Sequence, residues 1–401
     1  MIRLGLREMA GCGLSIIPAP HRRSTLRNHN WRAATKSWML AALASMALLA
    51  VRTMTGPHSE ARPATALDPA RSAFAAMAPI DTHIHLYQDD PRFGDLMQRL
   101  DLRALNICVI DDRDPFYKDL EPQRGDVLKA RRSTGGRAVF CTTFSPYGFE
   151  APGFAERAIH QLEADFANGA IAVKIYKVMG MEMKSKAGNY VMPDDPAFEP
   201  VYQAIASYNR TVVAHIAEPD SCWAPPNPSS PDYQYYKAHP GEYAFAHPEW
   251  PSKAAILAAR DHFVEENPKL RVVGAHLGSM EADVDQIAQR FDRYPNFAVD
   301  TAARVPYLMM QPHDKVRAFL IKYQDRVLYG TDLEVQPGYN TENALKEWND
   351  TYRRDWIFFS SGRTVEYLGH KYQGLSLPEP ILRKIFHANA AHWFPGILGT
   401  K

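Results

Sequence analysis

Eight short apolar runs, each followed by a stretch of helical spacing, constrain this chain more than any other feature. The runs are Pro79–Leu86, Asn106–Asp111, Ala138–Phe144, Ala170–Tyr176, Thr211–Ala217, Arg271–Leu277, Phe297–Thr301 and Val327–Asp332. Most are rich in Val, Ile and Ala and lack strict alternation, as strands covered on both faces do. Amphipathic segments separate them, among them Gly153–Asn168, Ala197–Tyr208, Ser252–Asn267 and Glu281–Tyr294. This alternation predicts an α/β fold of the (β/α)8 TIM barrel type. An open doubly wound sheet is the competing arrangement, but no glycine-rich phosphate turn follows the first run.

Three connections are long, giving insertions after strands 4, 5 and 8: Val178–Pro196, Glu218–Pro251 and Glu334–Pro378. All would leave from the C-terminal face of the barrel, where such enzymes hold their sites. The second contains eight prolines and seven aromatic residues, Trp223 among them. A connection of that length is usually functional.

Residues 1–66 differ in kind from the rest. They carry nine basic and two acidic side chains, so their +7 balances a remainder of −6 in a chain whose total is +1. Trp38–Val51 is uncharged and apolar, shorter than the ~20 residues that span a bilayer. It suits the apolar centre of a signal peptide, and Ala64-Thr65-Ala66 offers a cleavage site downstream. We therefore expect export to the periplasm or the medium, with residues 67–401 forming one enzyme barrel. An uncleaved anchor is the alternative, and the leader is the only expected membrane contact. Lys+Arg at 46 nearly equal Asp+Glu at 45, which argues against a nucleic-acid partner. Four cysteines are too few for a disulfide scaffold.

Asp81-Thr82-His83-Ile84-His85 ends the first strand. Side chains alternate along a strand, so His83 and His85 point the same way and can reach one ion. His215 ends strand five, His276 strand six and Asp332 strand eight. Ionisable groups buried at one rim cost several kcal/mol unless paired or metal-bound.

This pattern resembles the amidohydrolase superfamily, and its "amidohydrolase 2" branch best, the late IFHANAAHWF stretch included. The resemblance covers roughly Ile80 to Phe394. It implies that His83, His85 and His215 bind a divalent metal, commonly zinc. Asp332 would complete the site and handle the proton of an attacking water. His276 would polarise the substrate or orient water. Independently, three imidazoles and a carboxylate suit zinc or a similar ion, and such an ion can lower the pKa of bound water to about 7. Related binuclear enzymes bridge two metals with a carbamylated lysine on strand four. Alternation puts Lys174 and Tyr176 on one face there and Lys177 on the other; one ion is favoured over two.

Around this centre, Glu218, Asp300, Arg304, Tyr176 and Trp223 are candidate substrate-binding residues. Asp300 could instead hold a ligand histidine, and Arg304 could grip a carboxylate through its fork. Asp111 and Asp112 are equally open. Asn389 is expected to tie down the last loop, His239 and His247 to pack or face solvent, and Cys108 and Cys141 to be core thiols. The expected function is metal-dependent hydrolysis of a C–N or C–O bond in a small amide, ester or lactone. Non-oxidative decarboxylation of an aromatic acid at the same site is the first alternative, and an inactive metal-retaining binding protein the second. A homo-oligomer is compatible with this composition.

Overall fold

The computed structural model describes residues 67–399. The leader, with its expected export signal, lies outside the described residues. Parallel strands follow in chain order: β1 (Ile80–Leu86), β2 (Arg103–Ile107), β3 (Ala138–Thr143), β4 (Ala172–Ile175), β5 (Thr211–Ala214), β6 (Arg271–Gly274), β7 (Phe297–Asp300), β8 (Val327–Leu328) and β9 (Leu333–Val335). Each pairs with its predecessor up to β8, and β9 pairs with β1. β8 and β9 are two halves of one strand, broken at Asp332, whose φ is +66°. Across the break Thr82 N donates to Tyr329 O at 2.9 Å and Asp332 N donates to His83 O at 2.8 Å. The ring thereby closes into the expected (β/α)8 barrel.

The helices Phe154–Ala167, Glu199–Ser207, Lys253–Glu266 and Val284–Arg293 fill the four predicted segments. Ser252 begins the third by accepting from Ala255 N at 3.2 Å, which satisfies one otherwise unpaired amide. Apolar side chains between strands and helices form the outer core layer. Inside the barrel, Ile80, Leu105, Val139, Val213, Val273, Ala298 and Leu328 form a second layer, closed below by Trp393, Phe394 and Ile397.

Two expectations need correction. The second strand was expected over 106–111 and lies at Arg103–Ile107. Asn106 bonds both Leu86 N and Leu86 O at 2.8 Å, taking the ladder's place beside an irregularity in β1. Beyond it, Gln123 takes up Val109 N at 3.0 Å and Val109 O at 2.8 Å, so this backbone needs no neighbouring strand. The 334–378 segment begins as β9 and contains the helix Thr341–Ser360, which buries Trp348 and Tyr352; only its end departs, as the hairpin Thr364–Tyr367 and His370–Gln373.

Candidate metal centre

Four strand ends converge on one point. Alternation along β1 brings His83 and His85 to the inside, where both are buried. His83 Nδ1 lies 2.9 Å from Asp300 Oδ2, and His85 Nδ1 lies 2.9 Å from Ile107 O. Both partners only accept, so each ring carries its proton on Nδ1 and turns an Nε2 lone pair inward. Those Nε2 atoms stand 3.3 and 3.4 Å from Asp332 Oδ1. The backbone break at Asp332 is what aims that carboxylate inward.

His276 follows β6 in the left-handed region, with φ +58°. Its amide donates to Asp300 Oδ1 at 2.8 Å, and its Nδ1 lies 3.0 Å from Ala302 O. Its Nε2 lies 3.1 Å from His215 Nδ1. His215 Nε2 is buried without a hydrogen-bond partner and sits 3.6 Å from Glu218 Oε1. Among the described residues, His83, His276 and Asp332 bring ligand-type atoms within 4.8 Å of one another. His215 touches this set through His276.

Burial drives the electrostatics. It pushes the His83 and His276 imidazoles well below their ordinary value, and His215 to about 4. Burial would raise Asp332, but the facing His276, His83 and His85 hold it well below the carboxylate range. The Nε2 atoms of His83 and His85 thus face the Asp332 carboxylate. Imidazole nitrogens converge on a carboxylate here at 3.3–3.4 Å, with the Lys174 Nζ 3.0 Å from His83 Nε2. Together with the orphaned His215 Nε2, this fits a divalent ion bound by nitrogen and oxygen.

Lys174 faces the interior with its Nζ 3.0 Å from His83 Nε2. Burial lowers its pKa to about 8, against the pull of Asp332 and Asp300. The Tyr176 ring stands 5.1 Å from that of His215. Lys177 was expected on the opposite face, yet it lines the same cavity. β4 ends at Ile175, and Lys177 is already helical at φ −56° and ψ −14°, so alternation no longer applies.

The cavity above the centre has a volume of about 380 Å³. Its wall includes Lys174, Tyr176, Lys177, Glu218, Arg304, Tyr235 and Tyr236. Lys177 bonds Glu218 and, at 2.6 Å, Glu242 of the 218–251 connection. Burial opposes charge on both partners, yet Glu218 holds Lys177 well above its ordinary value and Lys177 holds Glu218 well below its own. Two candidates sit elsewhere. Trp223 donates to Pro251 O at 3.3 Å and packs within its own connection. Asp300 lies behind His83 and His276, away from the cavity wall.

Of the remaining expectations, Asn389 donates to Gln324 O and Val327 O at 2.7 Å and so secures the last loop. His247 stacks on Trp250, and Asp111 is engaged by Arg113. Cys108, Cys141 and Cys222 are buried thiols. Sequence reasoning passed over Asp81, in plain view within the DTHIH stretch. This buried carboxylate accepts from His83 N and Thr331 N at 3.0 Å, Thr331 Oγ1 at 2.6 Å and the Tyr352 hydroxyl at 3.0 Å. It thereby ties β1 to the break that presents Asp332. Asp232 and Glu242 carried no sequence signal inside the proline-aromatic stretch, whereas Tyr235 is one of its seven aromatic residues.

A family model described as amidohydrolase matches residues 137–396, a span that includes Lys174, His215, His276, Arg304 and Asp332. No curated protein matches the chain. Solved structures do. An uncharacterised TIM-barrel protein from Bordetella bronchiseptica is 15% identical, with a TM-score of 0.45 over 79% of this chain and 97% of that one. A 2,6-dihydroxybenzoate decarboxylase from Rhizobium is 14% identical, with a TM-score of 0.44 over 79% and 98%. A probable 2-pyrone-4,6-dicarboxylic acid hydrolase from Acinetobacter baumannii is 12% identical, with a TM-score of 0.40 over 79% and 99%.

Proposed function

The chain belongs to the amidohydrolase family of enzymes, and on that premise we propose that it is a metal-dependent hydrolase of a small amide, ester or lactone. One observation carries the reading. Two imidazoles whose Nδ1 protons are committed elsewhere turn their Nε2 atoms on an ionised Asp332. His83, His85, His215 and Asp332 would hold one ion, zinc by the chemistry of the donors. When bound, that ion supplies Lewis acidity toward water and toward a substrate oxygen.

The chain's own groups do the rest. Asp332, kept ionised, accepts a proton from the attacking water and returns it to the leaving group. His276 commits its Nδ1 proton to Ala302 O and directs Nε2 at His215, which suits orienting water or a ring rather than polarising a carbonyl. Asp300 fixes both His83 and His276 in these orientations. Walls contributed by the 218–251 connection limit bulk water over the centre. The leader adds that the enzyme acts after export.

An ester, lactone and amide panel run beside aromatic acids, with and without metal, tests the reading. Metal-dependent cleavage of the first panel supports it. Carbon dioxide release from the acids alone would replace it with decarboxylation, and bound metal without turnover would indicate a binding protein. One metal equivalent, retained in Lys174→Ala, is the expected stoichiometry.

A further inference from the structure

We infer that Arg304 is the anchor for a carboxylate on the substrate, so that the enzyme's substrates are small organic anions. The inference rests on the reading of this cavity as the substrate pocket of a metal-dependent hydrolase, and it concerns what that pocket selects.

The argument starts from which polar groups in the cavity are already engaged. Glu218 is bonded by Lys177 and receives the Tyr236 hydroxyl at 3.3 Å. Asp232 Oδ2 receives the hydroxyls of Tyr307 and, at 2.7 Å, Ser221. Glu334 receives the Tyr117 hydroxyl and the Gln336 amide, each at 2.6 Å. Among the cations, Lys177 has two carboxylates and Lys174 has His83.

Arg304 differs from all of these. Its residue is only 8% exposed, and it lines the cavity. A guanidinium has five N–H donors. Here the hydrogen bond it makes among the described residues is a long one, 3.4 Å from Nη1 to Ala303 O. Its Nε is buried without a partner. Asp232 Oδ1 stands 3.5 Å from Nη1 and Glu218 Oε2 3.8 Å from Nη2, so neither closes a bidentate pair. These two acids, Asp232 first, still outweigh burial and raise its pKa, which keeps the fork charged at any working pH.

A buried, charged, planar fork with unused donors is costly to leave so, and its geometry matches a carboxylate. Arg304 follows β7, between His276 after β6 and Asp332 after β8. An anion held there would present the adjoining bond toward the metal centre. The volume of about 380 Å³ suits a molecule of about one ring. Asp232, from the 218–251 connection, is the nearest anion competing for the fork.

The test is calorimetric titration of full-chain, zinc-loaded protein with benzoate and acetate, and with the neutral benzamide. Repetition after chelation separates the fork from the metal. Benzoate should bind with and without metal, and benzamide at least ~10-fold more weakly. Arg304→Gln should weaken benzoate by ~10–100-fold, the value of a hydrogen-bonded charge, and Arg304→Lys by less. Asp232→Asn removes the competing charge and should tighten benzoate several-fold, which keeps the inference testable if Arg304→Gln fails to fold. The inference is overturned if neither carboxylate binds, if benzoate and benzamide bind alike, or if Arg304→Gln and Asp232→Asn bind as the unaltered protein does. Benzoate binding that vanishes with the metal and ignores Arg304→Gln also overturns it, while leaving the hydrolase reading intact. Arg304-dependent binding in a protein that hydrolyses nothing leaves the inference standing and removes the hydrolase reading.

Discussion

The two ends of the barrel are equally buried and differently held. At the lower end Ile80, Leu105, Val213, Val273 and Leu328 meet Trp393, Phe394 and Ile397. Apart from the Trp393 indole, which donates to Asp325 O at 3.2 Å, these side chains need only close packing, and burying each large one stabilises the fold by about 1.5–3 kcal/mol. At the upper end His83, His85, His276, Lys174 and Asp300 are as inaccessible, but each requires a specific partner. The backbone repeats the contrast. Ala217, His276, Leu277, Ser279, Ala303 and Asp332 all take positive φ where the chain leaves β5 to β8. Such conformations cost a non-glycine residue about 1–3 kcal/mol each. Stability is therefore concentrated below, and strain collects above, where it aims His276 and Asp332.

The largest effect should come from the upper end. Asp332→Asn is nearly isosteric and should lower turnover by ~10²–10⁴-fold, by removing the proton acceptor. The melting temperature should change little and part of the metal should remain, so kinetics beside metal analysis checks it. Full activity of the metal-replete variant would break the division of labour. At the lower end Phe394→Ala should cost about 3–5 kcal/mol in denaturant unfolding with unchanged turnover per folded molecule. A comparable loss of turnover would show that the ends are coupled.

A smaller effect sharpens the picture of the upper end. Burial, then Asp111, pushes Glu182 from 4.5 to about 7, against Arg113. The folded state therefore holds this proton more tightly than the unfolded one. Stability should fall as pH rises from about 4.5 to about 7 and then level off. Glu182→Gln should flatten that decline, by roughly 1–3 kcal/mol, in unfolding measured at about pH 5 and about pH 8. An unchanged slope would assign the pH dependence to other groups. The smallest effect is expected outside both ends. Removal of residues 1–66 should leave turnover and melting temperature as they are, and precipitation of the shortened protein would show that the leader belongs to the fold.

The barrel was legible because its signal is local. Most strands are rich in Val, Ile and Ala, and seven of the eight expected runs start within two residues of an observed strand. His83 and His85 were legible for the same reason, since a period of two is a property of neighbours. His215, His276 and Asp332 were legible as polar interruptions at strand ends, and the fold brings them to one rim. Lys177 was misplaced because alternation ended with β4 at Ile175, a boundary set by the sheet's register. Asp232 and Glu242 reach the cavity from a connection without periodicity, so only the folded chain brings them beside Arg304 and Lys177. The amino-acid sequence by itself determined the barrel and the rim residues, through periodicity and the cost of burying charge. Which ring nitrogen faces the centre, and which cation keeps unused donors, was decided by the tertiary structure. Those properties depend on partners such as Asp300 and Ile107 O, far away in the chain and adjacent only once it is folded.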